Sequence, residues 1–73
     1  MDHSAAINVI RSWFSHVHVE KVIVQFEADI GGDVAKVVVR DDQLDNALRN
    51  NGWHARQAAI QSGLNVEVVL ADC

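Results

Sequence analysis

The residues best suited to binding chemistry lie in one short stretch, Arg49-Asn50-Asn51-Gly52-Trp53-His54-Ala55-Arg56. A helical pattern ends at Asn-Asn-Gly and a second begins directly after it. The first N–H groups of the second helix are then expected to be unpaired and to converge on one spot, which suits an anion such as a nucleic-acid phosphate. We predict a contact site formed by Arg49, Asn50, Asn51, Gly52, Trp53, His54 and Arg56.

Two parts of this site have a second interpretation. Arg49, His54 and Arg56 can form a basic cluster that contacts nucleic acid, or they can be the solvated cations of a helix end, where the helix dipole favours positive charge. Trp53 can stack on a base, or it can pack into the core and fix the start of the helix. The sequence leaves both pairs of alternatives open.

Other residue patterns point away from metal binding and catalysis. His16 and His18 are two residues apart and His3 could join them, but nothing in the sequence fixes the geometry that a metal ion requires. Ser12, Ser15 and His16 fall on the polar face of a predicted helix, where no pocket would hold a nucleophile beside a base. We therefore expect no catalytic residues, no metal, no cofactor and no enzymatic activity.

Length and composition indicate one small domain over residues 1–73. The chain is 49% hydrophobic and 22% charged, which is typical of a folded protein. It has no apolar run near the ~20 residues of a membrane helix and no recognisable signal peptide, and its one cysteine, Cys73, has no internal partner. We expect a cytoplasmic protein without a membrane partner. The net charge of −4 argues against strong, non-specific nucleic-acid binding but allows a local basic patch.

The first half of the chain predicts a helix followed by a β-hairpin. Ser4 is a plausible N-cap, and apolar residues from Ala6 to Val17 recur on one helical face. Two alternating runs then flank Gly31-Gly32, which predicts a two-residue turn. In that register Phe26 faces Val37, Val24 faces Val39 and Glu27 faces Lys36. Lys36 and Arg40 then lie on the outer face of the hairpin.

The second half predicts two helices and a closing strand. Asp41 and Asp42 supply an N-cap and favourable first-turn charge, and Leu44, Ala47 and Leu48 face inward. The next helix runs from about Trp53 to Ser62, ends at Gly63, and is followed by a strand over residues 65–70. One continuous helix through Gly52 is the rival interpretation. It would expose apolar residues on its far side, and the glycine would cost ~1 kcal/mol, so we favour the break.

The predicted fold is an α+β domain with the order αββααβ, in which three helices pack on one face of a three-stranded sheet. This order resembles that of type II KH domains, and the sequence from Val39 to about Asp72 is similar to the second KH domain of the NusA transcription factors. The shared pattern comprises Val39-Arg40-Asp41-Asp42-Gln43-Leu44, Asn46-Ala47-Leu48, Asn51-Gly52, Ala55-Arg56, Ala58-Ala59 and Ser62-Gly63.

The resemblance implies binding of single-stranded RNA in transcription regulation or RNA metabolism. KH domains place the backbone of a Gly-x-x-Gly loop against the sugar–phosphate chain. Asn50, Asn51 and Gly52 occupy that loop here, and Arg49 stands in place of its first glycine. The Arg49 side chain can hold the backbone away from the phosphate, or it can replace the backbone contact with a charged one. The alternative function is a degenerate KH fold that serves as a protein-interaction module.

The outer face of the predicted sheet supplies a possible second contact surface. Ile23, Val38 and Val69 form an apolar stripe there among polar residues. Scattered apolar residues are normal on a protein surface, but such a stripe can also contact a protein partner or a second copy of the chain. Both interpretations stay open at this stage.

Overall fold

The computed structural model describes residues 3–71, so Cys73 lies outside the described residues. Its elements follow the predicted order of helix, strand, strand, helix, helix and strand, and the α+β class is confirmed. Their bounds are α1 Ser4–Trp13, β1 Val19–Glu27, β2 Gly32–Val39, α2 Leu44–Ala47, α3 Arg49–Ser62 and β3 Asn65–Leu70, with a 3-10 turn at Asp41–Gln43 before α2.

The sheet is mixed, and its strands lie in the order β1-β2-β3. β1 and β2 are antiparallel neighbours joined by a tight turn. β2 and β3 are parallel, with Val34 beside Asn65 and Val39 beside Leu70. Parallel neighbours need a long crossover connection, and α2 and α3 supply it. The chain from α2 to α3 therefore starts from the central strand β2 and ends at the edge strand β3.

The predicted hairpin register is wrong by four residues. Val24 pairs with Ala35, Val22 with Val37 and Glu27 with Gly32. The chain reverses over residues 28–31, where the Glu27 carbonyl accepts a 2.9 Å hydrogen bond from the Gly31 amide. Gly31 is the only residue of this turn with a positive φ, at 77°. A two-residue type I′ turn needs two such residues, so Gly31-Gly32 does not form one.

The shifted register lengthens the ladder. In the predicted register, β2 would end opposite Val24 and the residues before it would be unpaired. In the observed register, Ile23 pairs with Lys36, Lys21 with Val38 and Val19 with Val39, with a bulge between Val19 and Lys21. Phe26 is displaced to the hairpin tip beside Asp33, where it is 65% exposed. Compared with the predicted register, the observed one pairs more backbone groups but leaves Phe26 exposed.

The ion pair predicted across the hairpin forms although its two residues are not direct neighbours. Lys36 Nζ lies 3.0 Å from Glu27 Oε1 on the outer face. Hydrogen bonding to Lys36 lowers the pKa of Glu27, and hydrogen bonding to Glu27 raises the pKa of Lys36. The shift by four residues is even, so every side chain keeps its predicted face. Lys36 is therefore on the outer face as expected.

The core lies where the helices meet the inner face of β2. Within the described residues it consists of Ile10, Phe14, Val17, Ala35, Val37, Val39, Ala47 and Ala58. The predicted apolar face of α1 is confirmed by Ile10 and Phe14, which are at most 1% exposed. Leu48, predicted to face inward, is 44% exposed because the chain leaves helical geometry beside it. Ala47 and Ala58 are small enough for α2 and α3 to approach the sheet closely.

Candidate nucleic-acid interface

The predicted break between two helices is confirmed at Asn50, Asn51 and Gly52. Their φ/ψ angles are 58°/39°, 59°/37° and 75°/22°, so three consecutive residues are left-handed inside α3. A left-handed conformation costs most L-residues about 1–2 kcal/mol, whereas Gly and Asn adopt it readily. The sequence Asn-Asn-Gly therefore suits this turn, and the rival interpretation of one regular helix is wrong.

Two hydrogen bonds hold the left-handed turn in place. The Gly52 amide donates to the Leu48 carbonyl at 3.0 Å. Farther along α3, Nη1 of Arg56 donates to the Asn51 carbonyl. The Gly52 amide is thus already paired and is not an open donor for an anion. Arg56 reaches back to the turn and places its positive charge beside it.

The outer surface of the turn is formed by Arg49, Asn50 and Asn51, all of which are exposed. The structure thus brings the predicted Arg49 and Arg56 to the same turn, one on each side of the left-handed residues. A guanidinium group on an exposed turn can form charge-assisted hydrogen bonds to phosphate oxygens. The amide groups of Asn50 and Asn51 add neutral donors and acceptors beside it.

Trp53 directly follows the turn and is 41% exposed. Its ring lies 5.4 Å from that of Trp13 at an interplanar angle of 81°, and 5.1 Å from that of His54 at 79°. Both contacts have the edge-to-face geometry that aromatic pairs favour. Trp53 therefore packs against other rings while part of its side chain faces solvent.

His54 is held in a more enclosed environment than the rest of the predicted site. Its Nδ1 is buried and has no hydrogen-bond partner, and its ring lies 4.3 Å from the His16 ring. Burial lowers the pKa of His54, and the nearby His16 and Arg49 lower it further. His54 is therefore neutral at pH 7, and Arg49 and Arg56 are the cations of the predicted cluster.

Two residues that support this site, His16 and Asn46, are not among the predicted site residues. His16 was predicted on a solvated helix face, but α1 ends at Trp13 and His16 is half-buried. Its Nε2 lies 3.2 Å from the Asn46 carbonyl, and Asn46 Nδ2 donates to the His16 carbonyl at 2.8 Å. This reciprocal contact ties the end of α1 to α2 just before the turn. No local sequence pattern indicates this contact, because its two residues lie 30 positions apart.

The described part of the chain, residues 3–71, contains no cluster of three or more His, Cys, Asp or Glu side chains arranged to hold a metal ion. In the same range no helix is long and apolar enough to cross a membrane. No protein-family model, no curated protein and no solved structure matches the chain. Its function is therefore inferred from its own residues.

Proposed function

We propose that this chain is a type II KH-like module that binds single-stranded RNA through the left-handed turn at residues 50–52, near the start of α3, in transcription regulation or RNA metabolism. The order of its elements supports the KH resemblance, since β2 leads through a helix, a turn and a helix into the parallel strand β3. In KH domains that turn contacts the sugar–phosphate backbone. The module is proposed to be non-catalytic and to need no cofactor.

The observation that carries the proposal is the left-handed turn itself. Two of its three residues, Asn50 and Asn51, hold positive φ angles despite having side chains. Three consecutive left-handed residues are rare and need surrounding contacts to maintain them, and backbone conformations of this kind are concentrated at binding sites. The Arg56 hydrogen bond to the Asn51 carbonyl is such a contact. The turn is thus preorganised, and the exposed side chains of Arg49, Asn50 and Asn51 are the groups that a phosphate can contact there.

The location of the two arginines is consistent with an elongated anionic ligand. Arg49 precedes the turn and Arg56 lies beyond it, so a chain of phosphates passing over Asn50 and Asn51 would meet positive charge on both sides. Arg49 here takes the role of a charged contact in place of the missing glycine. Because the chain has a net charge of −4, the two arginines form a local cationic site on an acidic protein.

Amide NMR with isotope-labelled protein and pools of short single-stranded RNA tests the proposal. We expect chemical-shift changes confined to residues 48–57. Duplex RNA of the same length is the control ligand, since a rigid duplex cannot wrap the turn in the same way. The absence of shifts at millimolar RNA would reject RNA binding.

Two substitutions at Arg49 separate its possible effects. Arg49→Ala removes the charge and keeps a Cβ atom, and we expect weaker RNA binding. Arg49→Gly removes the charge and also restores the glycine of the KH loop. Weaker binding by both variants supports a guanidinium–phosphate contact, whereas tighter binding by Arg49→Gly would show that the side chain obstructs the backbone. Unchanged binding by both would remove Arg49 from the site.

A protein-interaction module is the second candidate, favoured by the outer sheet face. Ile23, Val38 and Val69 line a depression of about 500 Å³ there together with Glu20 and Lys21. Ile23 is 38% exposed, whereas Val38 is only 5% exposed. Leu70 at its margin is 49% exposed. Sedimentation equilibrium of the wild type and of Ile23→Lys tests for a homodimer through this face. A monomer at all concentrations in both would reject that form of the alternative.

A further inference from the structure

The side chain of Trp53 is 41% exposed, and its ring packs against two other rings. Trp13, at the end of α1, and His54, the next residue along α3, both contact it edge-to-face. The contact with Trp13 joins α1 to α3, so rotation of the indole would lose it. An exposed aromatic ring that is already ordered loses little conformational entropy when a ligand packs on it.

Trp53 is also the residue that directly follows the cationic turn in the chain. Trp53 follows Gly52 directly, and Arg49 is the exposed cation on the other side of the left-handed residues. A free phosphate would use only the cations, and an apolar peptide would use only the ring. A nucleotide uses both, because it joins a flat aromatic base to a phosphate.

We propose that Trp53 is a stacking platform for one unpaired base of the RNA strand, oriented by its edge-to-face contact with Trp13. This inference rests on the proposed RNA-binding function and assigns to Trp53 a part of the RNA that the turn does not contact. The turn contacts phosphate, and the indole contacts a base. Purines are expected to bind more tightly than pyrimidines, since they offer a larger ring surface for stacking.

Fluorescence provides a direct test because the chain has two tryptophans. In a Trp13→Phe variant, Trp53 is the only indole, and an aromatic ring still occupies position 13. We expect oligoadenylate of about eight nucleotides to quench its emission. An oligonucleotide with the same number of phosphates but with abasic sites should bind more weakly and leave the emission unchanged.

The second readout is RNA affinity, measured with Trp13 retained. Trp53→Leu should weaken oligoadenylate binding about fivefold to a hundredfold, the range expected for loss of one base–aromatic stack. Ile60→Ala is the matched control, because Ile60 is an apolar residue of α3 that is 70% exposed. Wild-type protein is also compared for its affinity to oligoadenylate and to the abasic ligand. This comparison needs no substitution, so a folding defect of Trp53→Leu cannot decide the result.

The outcomes distinguish the subsite from the proposed function. Equal affinity for oligoadenylate and abasic ligand, with shifts at the turn but no quenching, would overturn the stacking platform and leave RNA binding at the turn intact. No binding of either ligand would overturn both. Quenching by oligoadenylate together with a weaker abasic complex supports the platform.

Discussion

At the scale of single residues, His54 shows how burial changes the chemistry of the site. Its Nδ1 is buried and unpaired, and its ring contacts that of His16. Protonation would put a charge in this enclosed place, beside His16 and Arg49, so the folded state favours the neutral ring. The pKa of His54 is consequently below its ordinary value of 6.5.

The lowered pKa of His54 predicts loss of stability in acid. Below pH 6.5 the unfolded chain binds a proton at His54 that the folded state does not, so the free energy of unfolding falls as pH decreases toward the folded-state pKa. His54→Phe should reduce this fall. Urea unfolding between about pH 8 and about pH 5 measures it.

His18→Gln is the control for the histidine prediction, because the His18 side chain is 71% exposed. The loss of stability of His18→Gln in acid is the baseline with which that of His54→Phe is compared. If His54→Phe retained the full wild-type loss of stability in acid, His54 would not be the titrating group that links pH to unfolding.

Gly52 provides a second residue-scale prediction. Its φ is 75°, and an added Cβ would lie 3.9 Å from Arg56 Nη1, which is an ordinary contact. Gly52→Ala should therefore lower the free energy of unfolding by about 1–2 kcal/mol through backbone strain alone. Gly32→Ala, in β2 with open space around it, should be neutral or stabilising. Equal effects in urea unfolding would argue against a left-handed Gly52 in solution.

The turn and its supporting contacts differ in how far the sequence could predict them. Asn-Asn-Gly indicated the break because these residue types favour left-handed conformations, which is a local property. The contacts of His16 with Asn46 and of Trp13 with Trp53 join residues 30 and 40 positions apart, so no local pattern could reveal them. The turn was readable from the sequence, whereas the aromatic support beneath it was not.

At the scale of secondary-structure elements, the hairpin separates what periodicity determines from what it does not. Alternation correctly assigned Val22, Val24, Ala35, Val37 and Val39 to the core face. It could not fix how far the strands slide, because a shift by an even number of residues keeps all faces. The turn decided the register, and its conformation depends on which glycine has a positive φ. Only Gly31 does, so residues 28–31 form the turn.

The observed register predicts very different roles for two phenylalanines. Phe14 is 1% exposed and Phe26 is 65% exposed. Phe14→Ala should destabilise the fold by about 3–5 kcal/mol, and Phe26→Ala by about 0.5 kcal/mol or less. The midpoints of urea unfolding compare them, with Phe14→Leu as a milder substitute if Phe14→Ala does not fold. A large effect of Phe26→Ala would favour the register in which Phe26 faces Val37.

At the scale of the whole molecule, net charge and local charge have opposite signs. The chain carries a net charge of −4, whereas Arg49 and Arg56 flank the exposed turn. Long-range repulsion should keep affinity for any polyanion modest, and screening by salt should reduce that repulsion. Counterion release should reflect only the few phosphates that the turn contacts.

This charge distribution predicts a shallow salt dependence for RNA binding. Two arginine–phosphate contacts correspond to a slope of about −1.4 in a plot of log association constant against log salt, since each contact to a single strand contributes about −0.7. Arg49→Gln should make the slope less negative by about 0.7. Lys21→Gln changes the net charge equally but lies on the outer sheet face, so its slope should match that of the wild type. If both variants changed the slope alike, binding would follow the overall charge of the domain and not a contact at the turn.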